Sequence, residues 1–121
     1  MSSIFIGKTG LRMKFAELSG TQLATANSPA TAVMLCSTAG TRVAYFDNSL
    51  STPVAVLVVH PECDPSVVTN RLLLMKMPAG RFMNLDVQNT LEFDAGTKIF
   101  LYYLGATAPT STSLFYLSHW G

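Results

Sequence analysis

Charge is what this sequence has least of. Asp, Glu, Lys and Arg make up 12% of its 121 residues, about half the share of an ordinary soluble domain. Its Lys and Arg number 8 against 7 Asp and Glu, for a net charge of +1, and the basic residues are scattered singly. No cluster exists that would track a nucleic-acid backbone or an anionic bilayer, so neither is an expected partner. No apolar run is long enough to cross a membrane as a helix. The start, Met-Ser-Ser-Ile-Phe-Ile-Gly-Lys, lacks a charged region ahead of a long apolar one and does not read as a secretory signal. The expected product is soluble and made in cytoplasm.

Histidine and cysteine are nearly missing: His60 and His119, Cys36 and Cys63. Paired, the cysteines would close a loop worth roughly 3 to 4 kcal/mol, but in a cytoplasmic product two free thiols are the expectation. No serine sits in a Gly-x-Ser-x-Gly elbow, and two histidines give little scope for a nucleophile with its base. A metal site would have to draw on His60, Glu62, Cys63 and Asp64, with Cys36 or His119 brought in by the fold, and this spacing matches no standard ligand set. The prolines at 61 and 65 account for that stretch as a turn. Glu92 and Asp94 share a strand face beside a turn, which is a weak basis for paired-carboxylate chemistry. No catalytic residue, cofactor or metal is expected, and the chain is not read as an enzyme.

What the sequence has is β-structure. Arg42 to His60 reads as two runs of β-branched and aromatic residues around Asn-Ser-Leu-Ser-Thr, the pattern of a hairpin. Its second run, Val54 to Val59, is apolar throughout, so both of its faces should be covered, by a sandwich or by another subunit. Further strands are expected at Ile4 to Ile6, Leu11 to Phe15 with its apolar set on one face, Ala32 to Cys36, Arg71 to Met77, Phe82 to Val87, Leu91 to Phe93, Lys98 to Leu104 and Ser113 to Trp120. Lys98 to Leu104 is nearly continuous in Ile, Phe, Leu and Tyr and belongs at a sheet centre. Pro78-Ala79-Gly80 and Asp94-Ala95-Gly96 are turns before strands, where Gly80 and Gly96 would supply positive φ. The spacing defines a single all-β domain, an antiparallel β-sandwich or jelly roll of about eight or nine strands.

Residues 19 to 31 are Ser, Thr, Ala, Gly and Asn with one Pro, a loop or an arm lying across a neighbour. Residues 1–40 are accordingly read as N-terminal strands and an arm that packs on the domain or on a neighbour, and 41–121 as the core sandwich. Adjacent aromatics on a strand point to opposite faces. Tyr45 and Phe46, Tyr102 and Tyr103, Phe115 and Tyr116, with Trp120, therefore supply large side chains to both faces of their sheets. They are the candidate interface residues. Sparse charge fits the same idea, unless Ser and Thr alone keep the surface soluble.

The order of Val43-Ala44-Tyr45-Phe46-Asp47-Asn48, Pro78-Ala79-Gly80, Asp94-Ala95-Gly96-Thr97 and the small-residue stretch Ala106 to Ser113 resembles small virion proteins of tailed bacteriophages. These are the β-sandwich decoration, or cement, proteins of capsids. The resemblance covers residues 41 to 120. It implies a structural protein of the virion, present in many copies, self-associated as a trimer or ring and clamping the major capsid protein or another virion component. The alternative is a tail- or fibre-associated adaptor, or a receptor- or carbohydrate-binding module, whose binding loops would be rich in aromatics.

Overall fold

The computed structural model describes residues 13–38, 42–84, 91–109 and 113–120. Among these residues the chain forms nine strands: β1 Met13–Ser19, β2 Val33–Ser37, β3 Arg42–Asn48, β4 Val54–Val59, β5 Leu72–Met77, β6 Arg81–Asn84, β7 Leu91–Glu92, β8 Lys98–Tyr103 and β9 Leu114–Trp120. Two single 3₁₀ turns, Pro29–Thr31 and Val68–Asn70, are the helical elements among them. A five-stranded sheet A runs β1-β9-β3-β6, with β7 also pairing β3, and a four-stranded sheet B runs β2-β8-β4-β5. All the pairs are antiparallel, and they nest: β1 with β9, β2 with β8, β3 with β6 and β7, β4 with β5. Nested pairing wraps one long folded ribbon into two facing sheets, which is a jelly roll. The strand expected at Ile4 to Ile6, and residues 85–87 of the one expected over Phe82 to Val87, lie outside the described residues.

The two sheets share one core. Phe46, Phe115, Leu117 and Leu18 from sheet A meet Val54, Val56, Ile99, Leu101 and Met77 from sheet B. The Phe46 and Phe115 rings stand 6.4 Å apart and tilted, an arrangement worth about 0.5 to 1.5 kcal/mol beyond the area that they bury. The expected hairpin over Arg42 to His60 is corrected here. β3 and β4 lie in different sheets, because the connecting loop drops Leu50 and Thr52 into the interior. Asn48, fully buried, closes that crossing. Its Nδ2 donates to the carbonyls of Thr52, Met77 and Pro78 at 3.1 Å each, and its Oδ1 accepts from the Leu50 N–H. One side chain thereby ties the β3–β4 crossing to the β5–β6 turn and satisfies backbone groups that burial would otherwise strand.

β4 is buried on both faces, as its unbroken apolar run requires, and the chain itself provides the second cover. Leu57, Val59 and Phe100 form a separate cluster on the outer face of sheet B, with Ala32 and Tyr102 against it. Two loops from opposite ends of the sandwich meet over it, residues 20–32 and residues 60–71. Arg71 fastens them. Its Nη1 donates to the carbonyls of Pro29 and Ala30, its Nε to that of Pro65, and its guanidinium lies 4.5 Å from the centre of the Phe100 ring. The stretch from Ser19 to Thr31, which its composition marks as poor in core residues, holds Leu23 and Ala26 fully buried in the main core. Its carbonyl at Ala26 accepts from the Tyr103 N–H at 2.8 Å, so it closes one end of the sandwich.

Candidate interaction surface

Sheet A has no counterpart to that cover among the described residues. In register, Glu17 stands opposite Tyr116, Tyr116 opposite Asp47, and Asp47 opposite Phe82. In the next row Phe15 stands opposite Ser118 and Ser118 opposite Tyr45. Because side chains alternate along a strand, both rows lie on the outer face when Phe46, Leu117 and Leu18 fill the core. Phe15 is 70% exposed and Phe82 67%. The Tyr45 ring lies 6.2 Å from that of Phe82, and its hydroxyl donates to Asp47 Oδ2 at 3.1 Å while Ser49 Oγ donates to Asp47 Oδ1. Desolvation, then this hydrogen bond and the Asp47 charge, hold the Tyr45 phenol above its ordinary pKa. It stays protonated and keeps the carboxylate fixed between the rings.

A second apolar surface runs along the lateral edge where β5 and β6, each the last strand of its sheet, are joined by Pro78-Ala79-Gly80. Leu72 is 62% exposed and Leu73 54%; Val67 and Val68 are exposed beside them, and Met83 on β6 as well. An edge strand that offers unpaired backbone groups and large apolar side chains is a site of association unless something blunts it. Among the described residues the blunting comes from Lys76 and a bulge at Leu74 on β5, where the β4–β5 register shifts, and from Arg81 on β6.

The candidate interface residues divide by this geometry. Phe46 and Phe115 are wholly in the core and Tyr103 nearly so, whereas Tyr45, Tyr102 and Tyr116 are half-buried. The three buried rings are therefore not surface groups, and each adjacent pair sends one member inward. The Trp120 side chain is outside the described residues, although its backbone pairs with Met13 and Arg42. Sequence reasoning missed Phe15, Phe82, Leu72 and Leu73. Phe15 was expected to face the core with Met13; the register is set instead by Leu18, three residues on, which places Ala16 inward and Phe15 outward.

The residues weighed for metal chemistry are not brought together. His60 Nε2 lies 2.8 Å from Asp94 Oδ2, and the Glu62 N–H donates to His60 Nδ1, so the ring is held as the tautomer that donates from Nε2. Asp64 accepts from the N–H and hydroxyl of Ser66, which lowers its pKa. Among the described residues no group of three or more His, Cys, Asp and Glu side chains is placed to hold a metal ion. Cys36 and Cys63 are free thiols, and burial pushes the Cys36 pKa from 9.0 to about 11. No helix among the described residues is long and apolar enough to cross a membrane.

Fold and surface together define an all-β jelly-roll sandwich in which loops cover part of the outer face of sheet B, leaving Met34 and Leu73 exposed at its sides, and in which no such cover lies on sheet A among the described residues. Compared with protein-family models, with curated proteins and with solved structures, the chain matches none.

Proposed function

We propose that this protein is a structural virion protein of the capsid-decoration or cement type, which works by self-association and by contact with a larger capsid surface. The observation that carries this reading is the open outer face of sheet A, where Phe15 and Phe82 are about two-thirds exposed beside Tyr45 and Tyr116. Single exposed apolar residues are ordinary on a surface; rows of rings across adjacent strands mark an interaction site. The low charge of the chain, 12% of residues, supports the same reading, since a surface that spends its life against other subunits needs little charge for solubility. Jelly rolls serve in viral capsids and equally in lectins and cupins, so the fold adds compatibility and the surface carries the argument.

The test is quantitative mass spectrometry of gradient-purified virus particles from cells in which the gene is expressed from its own genome. Recovery in tens to hundreds of copies per particle is expected. Failure to co-purify with particles at any stage would overturn the assignment.

A further inference from the structure

The open face of sheet A and the β5–β6 edge are complementary in charge. Toward the end of the sheet A outer face marked by Ser19 and Asn48, the charged positions are the acids Glu17 and Asp47, set among Phe15, Tyr116, Ser118 and Tyr45; Arg42 takes a position at the opposite end, where it pairs with Glu92 of β7. Strands β5 and β6 contain Lys76 and Arg81, both exposed, and no acid. Both surfaces carry exposed apolar side chains: rings on the face, Leu72, Leu73 and Met83 on the edge.

We propose that the occupant of the sheet A face is the β5–β6 edge of a second copy of this chain, with Glu17 and Asp47 of the face opposite Lys76 and Arg81 of the neighbour's edge. This rests on the self-association proposed above and specifies its geometry. The contact is head-to-tail, because the surfaces differ, and head-to-tail contacts close only if the rotation between copies returns to its start. A sandwich's lateral edge points at roughly a right angle to its sheet face, so each copy turns by about that angle and the ring closes after four. Isologous pairing of the faces would set Glu17 and Asp47 against the same acids of the other copy, which like charge disfavours.

The experiment is sedimentation equilibrium of four samples over a concentration series: the wild-type chain, a face variant with Glu17→Lys and Asp47→Lys, an edge variant with Lys76→Glu and Arg81→Glu, and an equal mixture of the two variants. Circular dichroism melts report whether each variant folds, and Glu17→Lys alone replaces the face variant if loss of the Asp47 hydrogen bonds unfolds it. The wild type is expected as a tetramer, an even ring in which the two variants can alternate, with a dissociation constant that rises with salt, and a wild-type trimer would overturn the right-angle contact. Each variant alone should associate at least tenfold more weakly, and the mixture should regain the wild-type mass, because every contact between unlike variants pairs opposite charges. If the wild type assembles and the variants assemble equally well, or if both variants fall apart and mixing restores nothing, the face-to-edge contact is wrong while self-association stands. A wild-type chain that stays monomeric at millimolar concentration overturns both.

Discussion

The guanidinium of Arg71 sits over the ring of Phe100 at 4.5 Å, and from there it holds the carbonyls of three residues on two different loops. Phe100 is 6% exposed as a result. Replacing Arg71 with Ala should loosen both loops and lower unfolding stability by about 2 kcal/mol, from the cation–ring contact and the charge-assisted hydrogen bonds together. Arg71→Lys should recover less than half of this, since an ammonium cannot present a planar fork to several carbonyls. Urea denaturation of the three proteins measures both. A lysine variant as stable as wild type would show that the charge alone matters.

Two buried polar residues near the β3–β4 crossing should respond in opposite ways. Asn48→Ala removes the donor to three carbonyls and the acceptor of the Leu50 N–H, all buried except the part-buried bond to Pro78, and should lose about 2 to 4 kcal/mol. Thr52 Oγ1 is buried without a hydrogen-bond partner. Thr52→Val keeps its shape and removes that unsatisfied hydroxyl, so stability should be unchanged or higher by up to about 1 kcal/mol. Denaturant midpoints with unchanged slopes would report these differences directly.

The cysteines should differ in reactivity by orders of magnitude. Cys63 is exposed and should react with a disulfide reagent at once at pH 8. Cys36, with its pKa raised to about 11 by burial, presents almost no thiolate there and should react only as the protein unfolds. Folding raises this pKa, so the thiol's contribution to stability is complete below pH 9 and is lost as pH climbs from 9.0 towards about 11. Comparing wild type with Cys36→Val by urea denaturation at pH 8 and pH 10.5 should show the wild type losing more over that interval.

Gly80 and Gly96 have φ of 69° and 91°, the left-handed values expected at these turns. Only one is also crowded. A Cβ at Gly96 would come 3.3 Å from Pro61 Cβ, whereas one at Gly80 meets nothing within 4 Å. Gly80→Ala should therefore lose about 1 kcal/mol from backbone strain alone, and Gly96→Ala about 2 kcal/mol. Thermal melts of the two variants, which share a backbone effect, isolate the contribution of the contact with Pro61.

Much of the architecture is legible in local pattern. β4, β5, β8 and β9 appear in the sequence nearly at their observed limits, because continuous or alternating apolar runs between turn residues leave few alternatives. The partners of those strands are not legible. β1 pairs with β9 from the far end of the chain, and nothing in Met13–Ser19 encodes that choice. Loop composition misled most. Residues 20–32 look solvent-exposed because they are small and polar, yet Leu23 and Ala26 are enough to anchor them, and the carbonyls that Arg71 grips belong to the backbone, which sequence does not display. Covering β4 thus required no second subunit, although its composition permitted one. The candidate surface was half visible: alternation placed Tyr45 and Tyr116 outward, but the outward turn of Phe15 depends on a register fixed elsewhere in the strand.

The β1–β9 ladder sets Met13 opposite Trp120 at one extremity and Ser19 opposite Leu114 at the other. Tension applied between those first-paired residues would load the hydrogen bonds one after another, like a zipper, where tension along the strands would load them together in shear. The seam between β1 and β9 is therefore mechanically soft to a pull that parts its two strands at one extremity. A load delivered through the outer face of sheet A passes across the sheets instead of down that seam.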